Sequence, residues 1–477
     1  MSKDKKDIKS IYGLSPMQTV MLFNSIKSAN NDDDPYFRQY LIDIQGEVCV
    51  ENLKKSMQLI IERYDILRTA FVYEKVKQPV QVVFNSREIS IGYEDLSNLD
   101  EEKQKDAIDK MMKEDKKIKF NLSKDVLNRM KLIKLSDKKY KLLWSNHHIL
   151  MDGWCGSIIL NEFCDIYESL QENKRVNLPA VNQYSEYINW LKKYNKNEAL
   201  MYWKKYLAGY KNKTSIPTNK TNKIYEYNEL VLKLNKETTS RLKKFALDNQ
   251  VTLSIVVDIL WGLLLQAYNE TNDSMFGMVV SGRMAPVDGI EKMVGLFINT
   301  IPMRIKISNS TSFSDLKNQV QQAVIYGEKY SSVLLTEMLS AASINNDMLD
   351  HMAVFENYPS DGIIKNKYFS CKFMNSAEKT NYDFNVLFYP GDEIEARFTY
   401  NKNMYSEEII KVIISHLEKL SNSIIKDADK TLLDEKLKKE LLFELREKLI
   451  DIECADILNE KLSFSEVIPQ DEGSFTF

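Results

Sequence analysis

Apolar residues recurring at two different spacings predict an α+β chain in two lobes with a C-terminal extension. Runs such as Gln78–Asn85, Tyr140–Trp144 and Phe276–Val280 are rich in β-branched and aromatic residues, as strands are. Asn52–Tyr64 instead carries Leu53, Met57, Ile60 and Ile61 on one stripe, and Val251–Tyr268 is apolar over a helical length. At 477 residues the chain is also long for one core. Apolar and charged fractions of 44% and 28% are those of a globular protein. A net charge of -3 with no basic face argues against nucleic acid as a partner. The five cysteines form no CxxC pair and are odd in number, which argues for free thiols in a cytoplasmic protein. No apolar leader follows Met1. The most apolar run, Ile255–Tyr268, is too short to span a bilayer and carries Asp258.

Taken in order, Ser15-Pro16 predicts a capped helix with Met17, Met21 and Leu22 along one face. The helix Asn52–Tyr64 runs into Arg63 and Arg68, two cations available to a buried carboxylate. The strand Tyr140–Trp144 leads to His147 and His148, half of the histidines in the chain. A helix follows Gly153, so the pair sits on a strand-to-helix loop of the kind that presents reactive side chains. Leu178-Pro179 marks a boundary between lobes. Tyr184–Trp190 and Met201–Trp203 are amphipathic and helical, with aromatic packing as their role. After the strand ending at Val280 comes Ser281-Gly282-Arg283. Further on, Gly295 permits close backbone approach, and Asn299 and Thr300 suit a turn. His351 reads as structural. From about Leu432, Leu437, Leu441, Leu445 and Leu449 form a helical stripe that either packs on the second lobe or docks a neighbour. Ser463–Phe477 reads as an acidic, partly disordered end. The expected domains are therefore 1–178, 179–430 and 431–477. No P-loop, carrier-protein serine motif or metal-ligand cluster is present in the sequence.

The string His147-His148-Ile-Leu-Met-Asp152-Gly153 matches the HHxxxDG signature and resembles the condensation domains of non-ribosomal peptide synthetases. The run NHHILMDGWC is similar to those of tyrocidine- and gramicidin-type synthetases. LSPMQ..MLF from Leu14, the run from Arg63 to Phe71 (similar to RHExLRTxF), the YxxYxxW stretch at Tyr184, the Tyr202-Trp203 pair, GxFxNTxxxR at Gly295, LDHxxVFENYP at Leu349 and the block from Asn381 to Asp392 extend the resemblance over roughly residues 10–430. Thr19-Val20 departs from the usual acidic-Gly pair, and Tyr64-Asp65 from His-Glu.

The resemblance implies two chloramphenicol-acetyltransferase-like α/β-sandwich lobes in a V-shaped pseudo-dimer. It also implies amide-bond formation between a donor acyl or peptidyl thioester and an acceptor aminoacyl thioester. Both would ride on phosphopantetheine arms of carrier proteins, with no cofactor or metal bound to the chain itself. His148 would be catalytic, with the Gly153 N–H as oxyanion donor. His147 and Asp152 would support the loop, Asp152 through Arg63, Arg68 or Arg283, with Arg68 favoured. Trp154, Asn299 and Ser281 would line the substrate tunnel. Because the first motif starts close to Met1, the donor peptidyl carrier is expected in trans, with an acceptor carrier and adenylation domain downstream, and the chain is expected to be a monomer. The missing aspartate- and glutamate-based motifs argue against heterocyclisation and epimerisation, and the strings favour an L-configured donor. The rival readings are a stand-alone acyltransferase using a CoA or carrier thioester and a soluble amine, and an inactive recruitment scaffold.

Overall fold

Three sheets and the helices packed on them organise the computed structural model, which describes residues 7–28, 34–218, 224–356, 363–374 and 382–465. Asn357–Pro359, Asn381 and the end of the chain beyond 465, singled out in the sequence, lie outside the described residues.

In the first lobe a six-stranded sheet has Lys139–His147 near its centre, hydrogen-bonded to Phe37–Gly46 on one side and Asn128–Ser136 on the other. Both faces of this strand are covered. Leu142 and Trp144 enter one core, under the helices Val50–Arg63 and Trp154–Gln171, while Leu143 enters a smaller core with Ile108 of the helix Glu101–Lys117. That two-sided burial is why the stretch reads as a nearly continuous apolar run rather than as strict alternation. A small sheet of Ile8–Tyr12, Val80–Phe84 and Thr69–Val72 lies alongside.

The second lobe is built on another six-stranded sheet, in the order Asn299–Lys306, Asp273–Val280, His351–Phe355, Phe384–Tyr389, Glu395–Asn401, Tyr227–Lys233. Its central helix, Leu253–Tyr268, is buried all round from Ile255 to Tyr268, as its unbroken hydrophobicity requires. Among the described residues no single helix is long and apolar enough to cross a membrane.

The chain does not divide between the two sheets at one point. Ile364–Lys365 and Phe369–Met374, from the second half of the sequence, return to the first lobe and pair with Phe37–Gly46. Ile290, Met293, Leu296 and Phe297 also join the first lobe's core. Gly295 makes this second crossing feasible, since a Cβ there would lie 2.1 Å from a ring carbon of Tyr184.

The leucine stripe packs on the second lobe. Leu441 and Leu445 of the helix Glu435–Ser465 are fully buried, with Leu437 and Leu449 partly so. His416 ties the same helix down, Nε2 lying 2.9 Å from Glu444 and Nδ1 2.8 Å from the Tyr268 hydroxyl.

Candidate active site

Strand Lys139–His147 ends where the first lobe meets the second, and the chain then makes one 3-10 turn, His148–Leu150, before Trp154 starts a helix. The two histidines at this corner are held in opposite ways. His147 is fully buried; its Nδ1 accepts the Ile149 N–H at 3.1 Å. Nε2 must then carry the proton, which it directs at Ser25 Oγ (3.1 Å) and Asp34 Oδ2 (3.3 Å). Burial pushes the Asp34 carboxyl up, but hydrogen bonds from His147, the Tyr36 N–H and Ser25 hold it below its ordinary value. His147 therefore fixes the loop and has no nitrogen to spare.

His148 is anchored through its other end. Its backbone N–H donates to the Tyr36 carbonyl (2.8 Å), and ring Nδ1 lies 2.7 Å from the Met151 carbonyl. A carbonyl only accepts, so Nδ1 bears the hydrogen and Nε2 keeps its lone pair. Burial and then the nearby charge of Arg38 hold the imidazole well below its ordinary pKa, so the ring is neutral at physiological pH. The buried Gln18 braces the same turn, donating from Nε2 to the Ile149 carbonyl at 3.2 Å. Its own helix, Pro16–Lys27, starts with a reciprocal cap between Ser15 and Gln18, which is the structural content of the Leu14–Gln18 motif.

Asp152 closes the loop against the second lobe. Oδ1 accepts from Arg283 Nη2 at 3.0 Å and Oδ2 from the Phe297 N–H at 3.0 Å, while the Asp152 N–H donates to the Gly295 carbonyl at 3.2 Å. Arg283 is anchored in turn by the carbonyls of Ile290 and Met293, with its guanidinium over the Phe297 ring at 4.3 Å. The preference for Arg68 as partner is thereby corrected. Arg68 pairs with Asp65 and donates to the Phe84 carbonyl, and Arg63 forms a two-pronged pair with Glu162 at 2.8 and 2.9 Å. Each found a nearer carboxylate, and neither belongs to the histidine site.

A cavity opens between the lobes. His148, Gly153, Arg38 and Met17 line it from the first lobe, Asn299 and Leu387 from the second. Asn299 is held there by the Val333 carbonyl (2.8 Å). Trp154 and Ser281 are not among its lining residues: Trp154 Nε1 donates to the Glu291 carbonyl (3.0 Å), and Ser281 Oγ donates to Glu328 (2.7 Å). Gly153 precedes the helix with φ -61 and ψ -29, and no acceptor among the described residues takes its N–H. Sequence reasoning missed Arg38, Tyr36 and Gln18. The strand Phe37–Gly46 mixes Arg, Gln and Asp with apolar residues, so the sequence shows little that separates Arg38 from a solvated edge position.

A neutral histidine thus lines a cleft between two lobes, with the start of a helix beside it. The condensation-domain family model matches residues 8–442. Gramicidin S synthase 2 of Brevibacillus brevis is 39% identical over 466 residues, covering 94% of this chain and 10% of that protein. Tyrocidine synthase 2 of Brevibacillus parabrevis is 38% identical over 428 residues, covering 88% and 12%. Among solved structures, a four-domain nonribosomal peptide synthetase bound to AMP and glycine superposes with a TM-score of 0.75 at 16% identity, over 90% of this chain and 34% of that one. The starter condensation domain of rhizomide synthetase superposes at 0.74 and 15% identity, over 89% and 97%. The chain belongs to the condensation-domain family. It spans about a tenth of the length of these gramicidin S and tyrocidine synthases.

Proposed function

We propose that the protein joins two carrier-bound thioesters by an amide bond. The α-amine of an acceptor aminoacyl thioester attacks the carbonyl carbon of a donor acyl or peptidyl thioester, and the donor carrier leaves as a free thiol. Each substrate reaches the cavity on the phosphopantetheine arm of a carrier protein, with the donor residue L-configured. An adenylation domain supplies the acceptor amino acid, and the setting is the cytoplasm. The observation that carries this reading is His148 on the wall of a cavity between the lobes, with its Nδ1 spent on the Met151 carbonyl and its Nε2 left for a substrate.

The chemistry follows from that atom. The C–N bond forms as the carbonyl electron pair moves onto oxygen, and the Gly153 N–H donates to that charge, a role its position at the start of a helix supports. The C–S bond then breaks, and the proton lost by nitrogen passes through His148 Nε2 to the departing thiolate. An imidazole held well below its ordinary pKa is a weak base toward an α-ammonium, whose pKa is roughly 8. His148 therefore acts mainly by accepting a hydrogen bond from the neutral amine and aiming it, an effect that can supply roughly 7–11 kcal/mol. Separately loaded donor and acceptor carriers, mixed with the protein, test the proposal. Dipeptidyl product should appear on the acceptor carrier only when both are loaded; equal rates with a CoA thioester or a soluble amine would contradict it.

A further inference from the structure

Cys155, one residue into the helix that follows the histidine loop, is fully buried and makes four polar contacts through one sulfur atom. Sγ lies 3.3 Å from Asp152 Oδ1, 3.2 Å from the Gly295 carbonyl, 3.4 Å from the Gly295 N–H and 3.3 Å from Arg283 Nη2. Two of these partners accept and two donate. A protonated thiol fits that set, giving its hydrogen to Asp152 or Gly295 and receiving the other two donors on its lone pairs. Burial, with the charge of Asp152 added, pushes the thiol up to about 12, so it stays S–H and is not a nucleophile.

We infer that Cys155 is a positioning residue for His148, an inference that rests on the condensation reading for its kinetic arm alone. The route is short. Asp152 and Cys155 both grip the Gly295 peptide of the crossing segment, Asp152 by its backbone N–H and Cys155 by its thiol. Arg283 is shared between the carboxylate and the sulfur. Met151, whose carbonyl fixes the His148 ring, is bonded directly to Asp152. Without the thiol, the Asp152 N–H is left as the only hydrogen bond from the loop to the Gly295 carbonyl, and a shift of the Asp152 backbone there would carry the adjoining Met151 carbonyl, and with it the His148 ring, away from its aim at the cavity. Gly295 cannot compensate by moving inward, because Tyr184 fills the space where a Cβ would stand.

The test is a pair of substitutions in the full chain. Cys155→Val keeps the volume approximately and deletes every polar contact, whereas Cys155→Ser keeps a donor and an acceptor. With a panel of aminoacyl-loaded carriers, kcat of Cys155→Val should fall about tenfold to a hundredfold while KM for both carriers stays within about twofold, the signature of a misplaced group rather than lost binding. Cys155→Ser should recover most of kcat even if its melting temperature is lower. Wild-type kcat in Cys155→Val, or equal losses in the two variants, would overturn the inference. Should Cys155→Val not fold, Cys155→Ala is compared with Cys155→Ser by the same criterion. The Nδ1–H signal of His148, read by nitrogen NMR without substrate, should shift in the apolar variant and return in the serine variant. That arm decides the matter even if the wild-type chain makes no dipeptidyl product, a result that would count against the condensation reading instead.

Discussion

His148 and His351 both flank a strand near the middle of a six-stranded sheet, one in each lobe, and both are buried; His148 follows the last residue of Lys139–His147, and His351 opens His351–Phe355. Their hydrogen bonds separate them. His351 spends both ring nitrogens on the protein, Nδ1 toward Asp350 at 2.8 Å and Nε2 accepting from Trp261 Nε1 at 3.2 Å. His148 spends one, on the Met151 carbonyl, and turns the other to the cavity. The role proposed for His148 needs what His351 lacks: an unspent lone pair aimed at space a substrate can enter.

The comparison breaks most sharply at His148 itself. His148→Ala should leave the melting temperature nearly unchanged and slow amide formation by about 10²–10⁴. A variant retaining more than about a tenth of the wild-type rate would remove the residue from the mechanism.

Asp152→Ala comes next. Deleting one partner of the buried pair leaves Arg283 uncompensated, at a cost of about 3–5 kcal/mol in stability as well as activity. Chemical denaturation reads the stability loss. Unchanged stability would mean that the lobes do not depend on this pair.

His351→Ala should do the reverse of His148→Ala. It strands the Trp261 N–H and costs about 1–3 kcal/mol, yet the rate per folded molecule should hold. A large loss of rate at full stability would make His351 more than structural.

Asp258 sharpens the same point for a carboxyl. It lies in the apolar helix Leu253–Tyr268, its Oδ2 has no hydrogen-bond partner among the described residues, and burial alone pushes it up to about 7. A carboxyl raised in the folded state binds its proton more tightly there than in the unfolded chain. Stability is therefore lost as pH rises from about 4 to about 7. Asp258→Asn should flatten that decline, so that the gain over the wild-type chain is small near pH 4 and reaches its full size by about pH 8. Parallel stability–pH curves for the two proteins would show that Asp258 has a partner when folded.

The sequence made the histidine loop, its flanking strand and helix, the capped helix at Pro16 and the buried helix at Leu253 legible, because each is written in local spacing. What it hid is long-range. Asp152 and Arg283 are 131 residues apart, and nothing local ranks Arg283 above Arg63 or Arg68; the choice is made by the crossing of residues 283–297 into the first lobe. The return of Phe369–Met374 to pair with Phe37–Gly46 was hidden for the same reason. The leucine stripe announced a helix but not its partner, and burial of Leu441 and Leu445 makes that helix part of the second lobe's core.

The claim on which the rest depends is that His148 offers an unprotonated Nε2 to the cavity while Nδ1–H is tied to Met151. Nitrogen NMR of histidine-labelled protein, assigned by difference with His148→Ala and followed from about pH 8 to about pH 5, reads this directly. The account predicts a neutral ring in the Nδ1–H form that persists well below the usual histidine midpoint of about 6.5. A ring in the Nε2–H form, or one that becomes a cation near pH 6.5, would contradict it.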